Sequence, residues 1–389
     1  MNLSRLKGQV SLQKIQIQNL FSPIKNIELN NLKDFKEIYI LGENGFGKTL
    51  ILQGIILALK WQEIKRSDNE YKGVLEAYFS KNPTLKLSAV TEDGSKFGSK
   101  HSNFLENVFA YGIHRHLHNS SRFADKTGFL TLFKHDIPLL DPIEWLKELD
   151  RKEKYESNVS YKEAKDLFVD LFEGTLTINE NNKTGEIYFE NRNKDKLNLD
   201  EIAGGYKNAM IWVSDLVSRL AENQPDTTIK DFVGIVLVDE VGMSLHPKLE
   251  KKLVQKLRNW FPKIQWIFTT HSPIVVMAAS AEAVFFKIYQ EENNGLEETK
   301  ISEPYTAKEL SNLMANSIVT SPLFDLEDAR MNSFDESKQE LDTSDDYYYT
   351  KIHKAMEEKA NKVREEGKGY ISKQLLNDML DEAFEDYKK

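Results

Sequence analysis

The segment Glu37–Leu41 reads EIYIL, Gly42–Thr49 reads GENGFGKT, and Thr49–Leu59 reads TLILQGIILAL. The first segment is a short apolar run, which predicts a buried strand, and the third is largely apolar, which predicts a helix. The middle segment satisfies the pattern Gly-x-x-x-x-Gly-Lys-[Ser/Thr], which forms a loop whose backbone N–H groups wrap phosphates. This order of strand, loop and helix predicts a phosphate-binding site at a helix N-terminus, where the helix dipole favours an anion.

Two side chains of this loop carry specific roles in the prediction. Lys48 would reach the β- and γ-phosphates of ATP, and Thr49 would hold Mg²⁺ through its hydroxyl. A chance glycine turn with a surface lysine is the alternative, but the flanking strand and helix favour the phosphate site. The predicted nucleotide-binding residues of this loop are Gly42, Glu43, Asn44, Gly45, Phe46, Gly47, Lys48 and Thr49.

Further short apolar runs end in glycine, hydroxyl or acidic residues, as buried strands of a parallel sheet do. They are Asn107–Gly112, Phe232–Val238 and Trp266–Thr270. Val10–Ile17 and Ile24–Leu29 instead alternate polar and apolar residues, which predicts half-exposed antiparallel strands. Helical patterns follow at Tyr206–Leu220 and Lys248–Trp260. We therefore predict an α/β fold with a mostly parallel sheet and N-terminal antiparallel strands.

One of these apolar strands ends in two adjacent acids, since Ile235–Glu240 reads IVLVDE. A carboxylate at a strand tip beside a phosphate loop can hold Mg²⁺, and a second carboxylate can polarise the attacking water. We assign the first role to Asp239 and the second to Glu240. A solvated strand end is the alternative for this segment alone, but its combination with the phosphate loop favours ATP hydrolysis.

Two further segments fit a nucleotide site. Glu201–Tyr206 reads EIAGGY and precedes a helix, so its Gly204–Gly205 step would let bare backbone amides approach a phosphate. Thr269–Pro273 reads TTHSP and ends a strand, where His271 would sense the γ-phosphate. Each has a plainer interpretation: a turn for the glycines and a structural role for the histidine. The order of the four segments along the chain favours the functional interpretation.

This order of motifs resembles the ABC-type ATPase heads of the SMC, RecF and OLD proteins. LGENGFGKT matches their phosphate loop, VLVDEVGMSLHP their acidic strand and following loop, and FTTHSP their switch-histidine segment. IAGGY stands where their signature motif stands. The resemblance implies that two heads sandwich two ATP molecules head to tail, so a homodimer or higher oligomer is expected. It also implies that Ala203, Gly204 and Gly205 complete the partner's γ-phosphate site, with residues 244–247 in the loop that communicates between the sites.

The sequence departs from this pattern at three points. Ala203 replaces the signature serine and removes a hydroxyl that would contact the γ-phosphate, so we expect slow turnover. No clear Q-loop glutamine is found, and Tyr111, Gly112 and Arg115 occupy that region. The stretch between the phosphate loop and the signature is too short for long coiled-coil arms, which argues against a full SMC protein.

Several segments also resemble the ATPase subunits of bacterial anti-phage systems, especially those of the Septu type, with OLD-like defence ATPases as cousins. These segments are FAYGIHRHL, LTLFKHDIPLLDPIEWL, IAGGYKNAM and MANSIVTSPLFDL. In Septu systems the ATPase works with a separate HNH nuclease. The resemblance therefore implies an ATPase that controls a partner nuclease and meets DNA through that complex.

Composition excludes several other classes. The chain of 389 residues has no cysteine, which excludes disulfides, a thiolate nucleophile and a Cys-based zinc site. Its formal net charge of −9 excludes a polybasic DNA-coating protein. No stretch approaches the roughly 20 apolar residues of a membrane span, and the first residues lack an apolar signal core. We therefore expect a cytoplasmic protein without membrane attachment.

Charge marks a boundary near residue 320, because residues 321–389 carry 18 acidic and 11 basic side chains and so most of the net charge. We predict an ATPase head over 1–320, with an inserted, mainly helical subdomain at about 65–173. A helical, acidic C-terminal extension over 321–389 would contact a partner or the head through an apolar stripe. The stripe consists of Ile352, Ala355, Met356, Ile371, Leu375, Leu376, Met379, Leu380, Ala383 and Phe384.

Two other clusters of polar residues are better explained by structural roles than by metal binding or catalysis. His114, His116 and His118 would share one face of an extended chain, but no acidic partner is near in sequence. We therefore favour a polar loop near the nucleotide over a metal site, with Arg115 near phosphate. Asp345–Asp346 precedes three tyrosines in a region that reads as helix and linker, which indicates a helix cap and not a nuclease site. The prediction is a chain with no nuclease activity of its own.

The main functional prediction is an ATP-hydrolysing subunit that uses Lys48, Glu240 and His271 and regulates a nuclease partner in phage defence. A RecF-like DNA repair ATPase that binds DNA directly is a second interpretation. A nucleotide-sensing scaffold with little turnover is a third. Salt-dependent DNA affinity stimulated by ATP would favour the second, and measured turnover separates the third from the others.

Overall fold

A computed structural model describes residues 4–6, 11–21, 23–66, 72–118, 123, 125–152, 158–181, 184–293, 296–310, 317–318, 320–321 and 323–324. The strands are β1 Ser4–Leu6, β2 Leu12–Leu20, β3 Ile24–Leu29, β4 Glu37–Leu41, β5 Lys86–Thr91, β6 Lys96–Gly98, β7 Asn103–Leu105, β8 Val108–Tyr111, β9 His116–His118, β10 Pro138–Leu140, β11 Leu176–Asn181, β12 Glu186–Asn191, β13 Lys196–Leu197, β14 Gly234–Val238, β15 Ile264–Thr270, β16 Ala283–Asn293, β17 Leu296–Ile301 and β18 Tyr305–Thr306. The helices are α1 Lys48–Arg66, α2 Lys72–Ser80, α3 Pro142–Lys152, α4 Tyr161–Phe172, α5 Gly204–Asn223, α6 Pro247–Trp260, α7 Pro273–Ala278 and α8 Ala307–Leu310. Short 3₁₀ helices lie at Leu32–Asp34, Leu130–Leu132 and Ile229–Asp231.

The central sheet has the strand order β17-β16-β4-β15-β14-β8, with β18 also paired to β16. The neighbours from β16 to β8 are parallel, whereas β17 and β18 run antiparallel to β16. Parallel neighbours need crossover connections, which helices supply here. Because the carboxyl ends of parallel strands meet at one edge, the residues that follow β4, β8, β14 and β15 converge there.

Alternate residues of the central sheet face two separate hydrophobic cores. Ile38 and Ile40 of β4 belong to the first, which we call the α1 core. Tyr39 and Leu41 belong to the second, which we call the α5 core and which also contains residues of α3, α4 and α6. Helix α1 is buried all round from Ile51 to Trp61, between the central sheet and the antiparallel sheet β3-β2-β5-β6. A helix covered on all sides explains why its sequence lacks a polar face.

The α/β class, the mostly parallel sheet and the N-terminal antiparallel strands are confirmed. The three predicted helices lie within α1, α5 and α6, and the four predicted apolar runs contain or overlap β4, β8, β14 and β15.

In the described residues of the segment at about 65–173, helices alternate with the strands β5 to β10. The segment contributes α2, α3 and α4, but β5 and β6 complete the antiparallel sheet and β8 forms an edge of the parallel sheet. These strands have three to six residues, which gives too few alternations to stand out in the sequence.

The predicted C-terminal extension lies outside the described residues, except for Ser321, Leu323 and Phe324. The apolar stripe and Asp345–Asp346 also lie outside them. Within the described ranges, no helix is both long enough and apolar enough to cross a membrane.

The packing of α1 on β2 leads to a prediction about Gly54. A Cβ added there would lie 2.6 Å from Cδ1 of Ile17, which is fully buried. We expect Gly54→Ala to lower the free energy of unfolding by about 1 kcal/mol, because overpacking of about 1–3 kcal/mol exceeds the gain in helix propensity. Urea denaturation measures the change.

Gly73 in α2 is the matched control, because a Cβ there meets nothing within 4 Å. We expect Gly73→Ala to raise the free energy of unfolding by about 0.5–1 kcal/mol. Equal stabilisation by both substitutions would contradict the tight contact between α1 and β2.

Candidate functional site

The phosphate loop, residues 42–49, connects β4 to α1 and is fixed by the nearby strands β16 and β17. Gly42 has a φ of +151°, and a Cβ there would lie 2.7 Å from the carbonyl oxygen of Ile288 on β16. Only glycine fits this position without displacing the strand. Thr299 on β17 donates a hydrogen bond of 3.2 Å from Oγ1 to the carbonyl oxygen of Phe46. The loop is therefore held in its shape by β16 and β17.

The side chain of Lys48 is 6% exposed and lies inside the loop. Its Nζ donates to the carbonyl oxygens of Gly42 at 2.8 Å and Glu43 at 3.3 Å, and to Oδ1 of Asn44 at 3.4 Å. It also pairs with Oε1 of Glu240 at 3.2 Å. A buried ammonium surrounded by oxygen acceptors is a site at which phosphate oxygens can take the place of protein oxygens.

Asp239 follows β14 and is 1% exposed. Oδ2 accepts a hydrogen bond of 2.6 Å from the hydroxyl of Thr49, and Oδ1 accepts one of 2.5 Å from the hydroxyl of Thr269. Burial raises the pKa of Asp239, and the two hydroxyl hydrogen bonds oppose this shift. The Thr49 hydroxyl and the Asp239 carboxylate thus present hard oxygen atoms side by side, a donor set that suits Mg²⁺ sharing its shell with phosphates and water.

Glu240 bridges two predicted site residues. Its Oε1 pairs with Lys48, and its Oε2 lies 2.9 Å from Nδ1 of His271, whose side chain is 59% exposed. Its backbone N–H donates to Oγ1 of Thr269 at 2.8 Å, and its φ is +48°. A non-glycine residue with positive φ carries backbone strain, which tends to be stored at functional sites. The carboxylate is therefore held between the lysine and the histidine by an unusual backbone conformation.

His271 lies in the short link between β15 and α7. The helix starts directly after it, because Oγ of Ser272 accepts from the N–H of Ile274 at 3.2 Å. Glu250 of α6 lies nearby and is 7% exposed. Burial raises the pKa of Glu250, while Ser272 and His271 oppose the shift.

Sequence reasoning missed the contacts of Thr269 with Asp239 and Glu240, and the position of Glu250 beside Ser272 and His271. The signal available for Thr269 was its hydroxyl group near the end of the apolar run Trp266–Thr270. Its hydrogen bonds to the two residues after β14 exist because β14 and β15 are neighbours in the sheet, which the sequence does not show. Glu250 gave no signal, because an acid in a first helical turn is common for electrostatic reasons alone.

Arg115 lies close to the site, but all of its hydrogen-bonding nitrogens donate to the protein. Nε donates to the carbonyl of Gly112 at 3.3 Å, Nη1 to Oδ1 of Asn208 at 3.2 Å, and Nη2 to the carbonyl of Asp239 at 3.1 Å. The guanidinium also lies 5.6 Å from the centroid of the Trp212 ring. Burial lowers the pKa of Arg115 to about 10, which leaves it cationic at neutral pH.

The histidines form a different cluster from the one considered in the sequence. His114 and His116 stack at 6.0 Å between centroids, and His114 contacts His135 edge to face at 4.4 Å. Within the described part of the chain, no group of three or more His, Asp or Glu side chains is placed to hold a metal ion.

Ala203, Gly204 and Gly205 lie at the start of α5, and the Ala203 side chain makes no capping hydrogen bond. They line a cavity of about 370 Å³ together with Ser244 and the basic side chains of α6, and no residue of the phosphate loop lines it. A Cβ on Gly205 would lie 3.0 Å from the carbonyl oxygen of Ser244, so the loop after Glu240 packs directly on α5. One chain thus brings together the phosphate loop, acidic strand end and histidine, but leaves the Gly-Gly segment at a separate cavity.

A phosphate loop between a parallel strand and a buried helix, with paired acids after a strand two positions away in the same sheet, defines a domain of the P-loop ATPase class. Residues 39–278 match the family model described as "AAA domain, putative AbiEii toxin, Type IV TA system". The chain belongs to this family.

Several known proteins are similar to this chain. The Septu protein PtuA of Bacillus mycoides (strain KBAB4) is 28% identical over 285 residues, which cover 68% of this chain and 38% of that protein. The Retron Vc95 probable ATPase of Vibrio cholerae serotype O1 biovar El Tor is 37% identical over 95 residues, 24% of this chain and 18% of that protein. The chain thus spans well under two thirds of these relatives. The SMC head domain from Thermotoga maritima is 15% identical with a TM-score of 0.37, over 75% of this chain and 99% of that one.

The burial of Asp239 predicts a conflict between stability and function. We expect Asp239→Asn to raise the melting temperature of the nucleotide-free protein by about 1–2 °C, the shift that about 1 kcal/mol produces in a chain of this length. The substitution removes a desolvated charge and keeps the side-chain shape. Differential scanning calorimetry measures the shift, with Asp166→Asn on the exposed face of α4 as the control. A fall in melting temperature for Asp239→Asn would contradict this account.

Proposed function

We propose that this chain binds and hydrolyses ATP with Mg²⁺, and that this activity controls a separate effector nuclease in bacterial anti-phage defence. Membership of the AAA-domain family and similarity to proteins named as Septu PtuA and retron ATPases support the proposal. The observation that carries it is the joint position of Lys48, Glu240 and His271 beside the Thr49–Asp239 pair.

Binding of ATP would begin at the phosphate loop. Its backbone N–H groups and the N-terminus of α1 would surround the phosphates, and Lys48 would exchange its loop carbonyls and Glu240 for phosphate oxygens. Thr49 and Asp239 would hold Mg²⁺, which would neutralise the charge of the phosphates. The exposed side of His271 suits contact with the γ-phosphate.

Hydrolysis would use Glu240 as the general base. Once Lys48 turns to the phosphates, the Glu240 carboxylate would be free to take a proton from the attacking water. Contact with Nδ1 of His271 would keep the carboxylate in place during this step. Each residue then has one role that can be removed separately.

The Gly-Gly segment supports a proposal that two copies share each ATP. Ala203, Gly204 and Gly205 lie away from their own phosphate loop, and the first turn of α5 offers backbone N–H groups without a side-chain cap. A second copy arranged head to tail would bring these groups to the γ-phosphate. Ala203 stands where the signature motif has a serine, and the lack of that hydroxyl favours slow ATP turnover. A nucleotide-sensing scaffold with little turnover is therefore the second candidate function.

Glu240→Gln is the variant that tests the base. We expect it to reduce ATP turnover by about 10²–10⁴-fold, the usual contribution of a general base, and to retain bound ATP. Lys48→Ala is expected to abolish ATP binding, because it removes the cation at the centre of the loop. Equilibrium binding of labelled ATP and phosphate release under single-turnover conditions separate the two effects.

The control is Glu186→Gln, which changes an exposed acid on β12 in the same chemical way. Equal turnover in wild type and Glu240→Gln would overturn the assignment of the base. No turnover in the wild type, with binding intact, would favour the scaffold.

The partner is tested by plasmid cleavage with the chain co-purified with the product of its neighbouring gene, in the presence and absence of ATP. We expect cleavage that needs both chains, from a partner of the HNH type, and no cleavage by this chain alone. The difference between the two ATP conditions gives the direction of control. Cleavage by this chain alone that survives Glu240→Gln would contradict the proposal of a separate nuclease.

A further inference from the structure

The peptide group between Asp239 and Glu240 is held at both of its polar atoms. Its carbonyl oxygen accepts from Nη2 of Arg115 at 3.1 Å, and its N–H donates to Oγ1 of Thr269 at 2.8 Å. The N–H of Asp239 itself donates to the carbonyl of Tyr111 at 2.8 Å. The segment that ends β8 therefore holds Asp239 from both sides.

The orientation of this peptide group decides where the Glu240 carboxylate lies. Glu240 has a φ of +48°, a conformation that costs a non-glycine residue about 1–3 kcal/mol and persists only when its surroundings enforce it. A rotated peptide would release the strain and move the carboxylate away from Lys48 and His271. The hydrogen bonds from Arg115 and to Thr269 oppose this rotation.

Arg115 also connects this peptide to α5. Its Nη1 donates to Oδ1 of Asn208, about one helical turn after Gly204, and its guanidinium lies over the ring of the buried Trp212. Its Nε donates to the carbonyl of Gly112. A guanidinium can serve three acceptors in fixed directions, whereas the single ammonium of lysine cannot reproduce this planar arrangement.

We propose that Arg115 is a positioning residue for ATP hydrolysis, which holds the Asp239–Glu240 peptide in its active orientation and ties it to the start of α5. This inference rests on the proposed function, because it assumes that Glu240 is the base. Movement of α5 would then pass through Asn208 and Arg115 to the peptide that orients Glu240. Arg115 would act through Glu240 and make no contact with phosphate.

The test is a double-mutant cycle of Arg115→Lys and Glu240→Gln, with single-turnover hydrolysis, ATP affinity and melting temperature measured for each variant. We expect Arg115→Lys alone to lower the hydrolysis rate about 10- to 100-fold, since a misplaced catalytic group costs about 10²-fold. The ATP dissociation constant should stay within about twofold of the wild-type value, because each guanidinium nitrogen of Arg115 already donates to a protein oxygen. In the Glu240→Gln background, Arg115→Lys should cause almost no further loss.

Asn208→Ala is the second variant, because it removes one acceptor of Arg115 and leaves the peptide contact in place. We expect a smaller loss of rate, about 3- to 10-fold, with unchanged ATP affinity. Arg151→Lys, at an exposed position of α3, is the control and should change nothing.

The outcomes separate this inference from the proposed function. Wild-type protein without turnover, or turnover unaffected by Glu240→Gln, would overturn the proposed function and this inference with it. If Glu240→Gln lowers the hydrolysis rate as expected, but Arg115→Lys and Asn208→Ala both keep the wild-type rate, this inference is overturned and the proposed function stands. The inference would also be overturned if Arg115→Lys lowered the hydrolysis rate by the same factor in the wild-type and Glu240→Gln backgrounds. An effect of Arg115→Lys mainly on ATP affinity would overturn it as well.

Discussion

The hydrogen-bond register of the parallel strands is the constraint on which the site depends. Leu41 of β4 lies opposite Thr270 of β15, and Val238 of β14 lies opposite both Phe268 of β15 and Tyr111 of β8. The strands therefore end at nearly the same level of one sheet edge. Every polar group that follows them is delivered to the same place, although the segments are more than two hundred residues apart in sequence at the extremes. A shift of one residue in β14 would place Val238 or Glu240, instead of Asp239, at this level.

The two cores explain why this edge can be rigid. The α1 core fixes the phosphate loop from one side of the sheet, because α1 is enclosed by the antiparallel sheet. The α5 core fixes the other side through α5, α6 and the neighbouring small sheet β11-β12-β13. Gly42 and Gly205 mark two positions where the backbone lies close to a neighbouring segment. The polar site thus lies at the boundary between two independently packed layers.

The sequence was sufficient to predict local features of the fold and site. The phosphate loop, the acids after β14 and His271 each follow an apolar strand, so their placement at one edge follows from the parallel arrangement. The inserted segment was harder, because β5, β6 and β8 are short and their membership in two sheets depends on distant partners. The contacts of Thr269 and Arg115 could not be predicted, because both join residues that are far apart in sequence and approach only through strand order. The roles of the site residues in catalysis stay predictions.

The ion pair between Lys48 and Glu240 has a consequence for which ligands the loop accepts. The carboxylate is attached to the same chain, so it competes with any incoming anion at a high effective concentration. A small anion such as inorganic phosphate offers little binding energy elsewhere and would lose this competition. A ligand with several linked phosphates and a nucleoside would displace the carboxylate more readily, because it would gain contacts along the whole loop. The ion pair would therefore select against small anions such as inorganic phosphate.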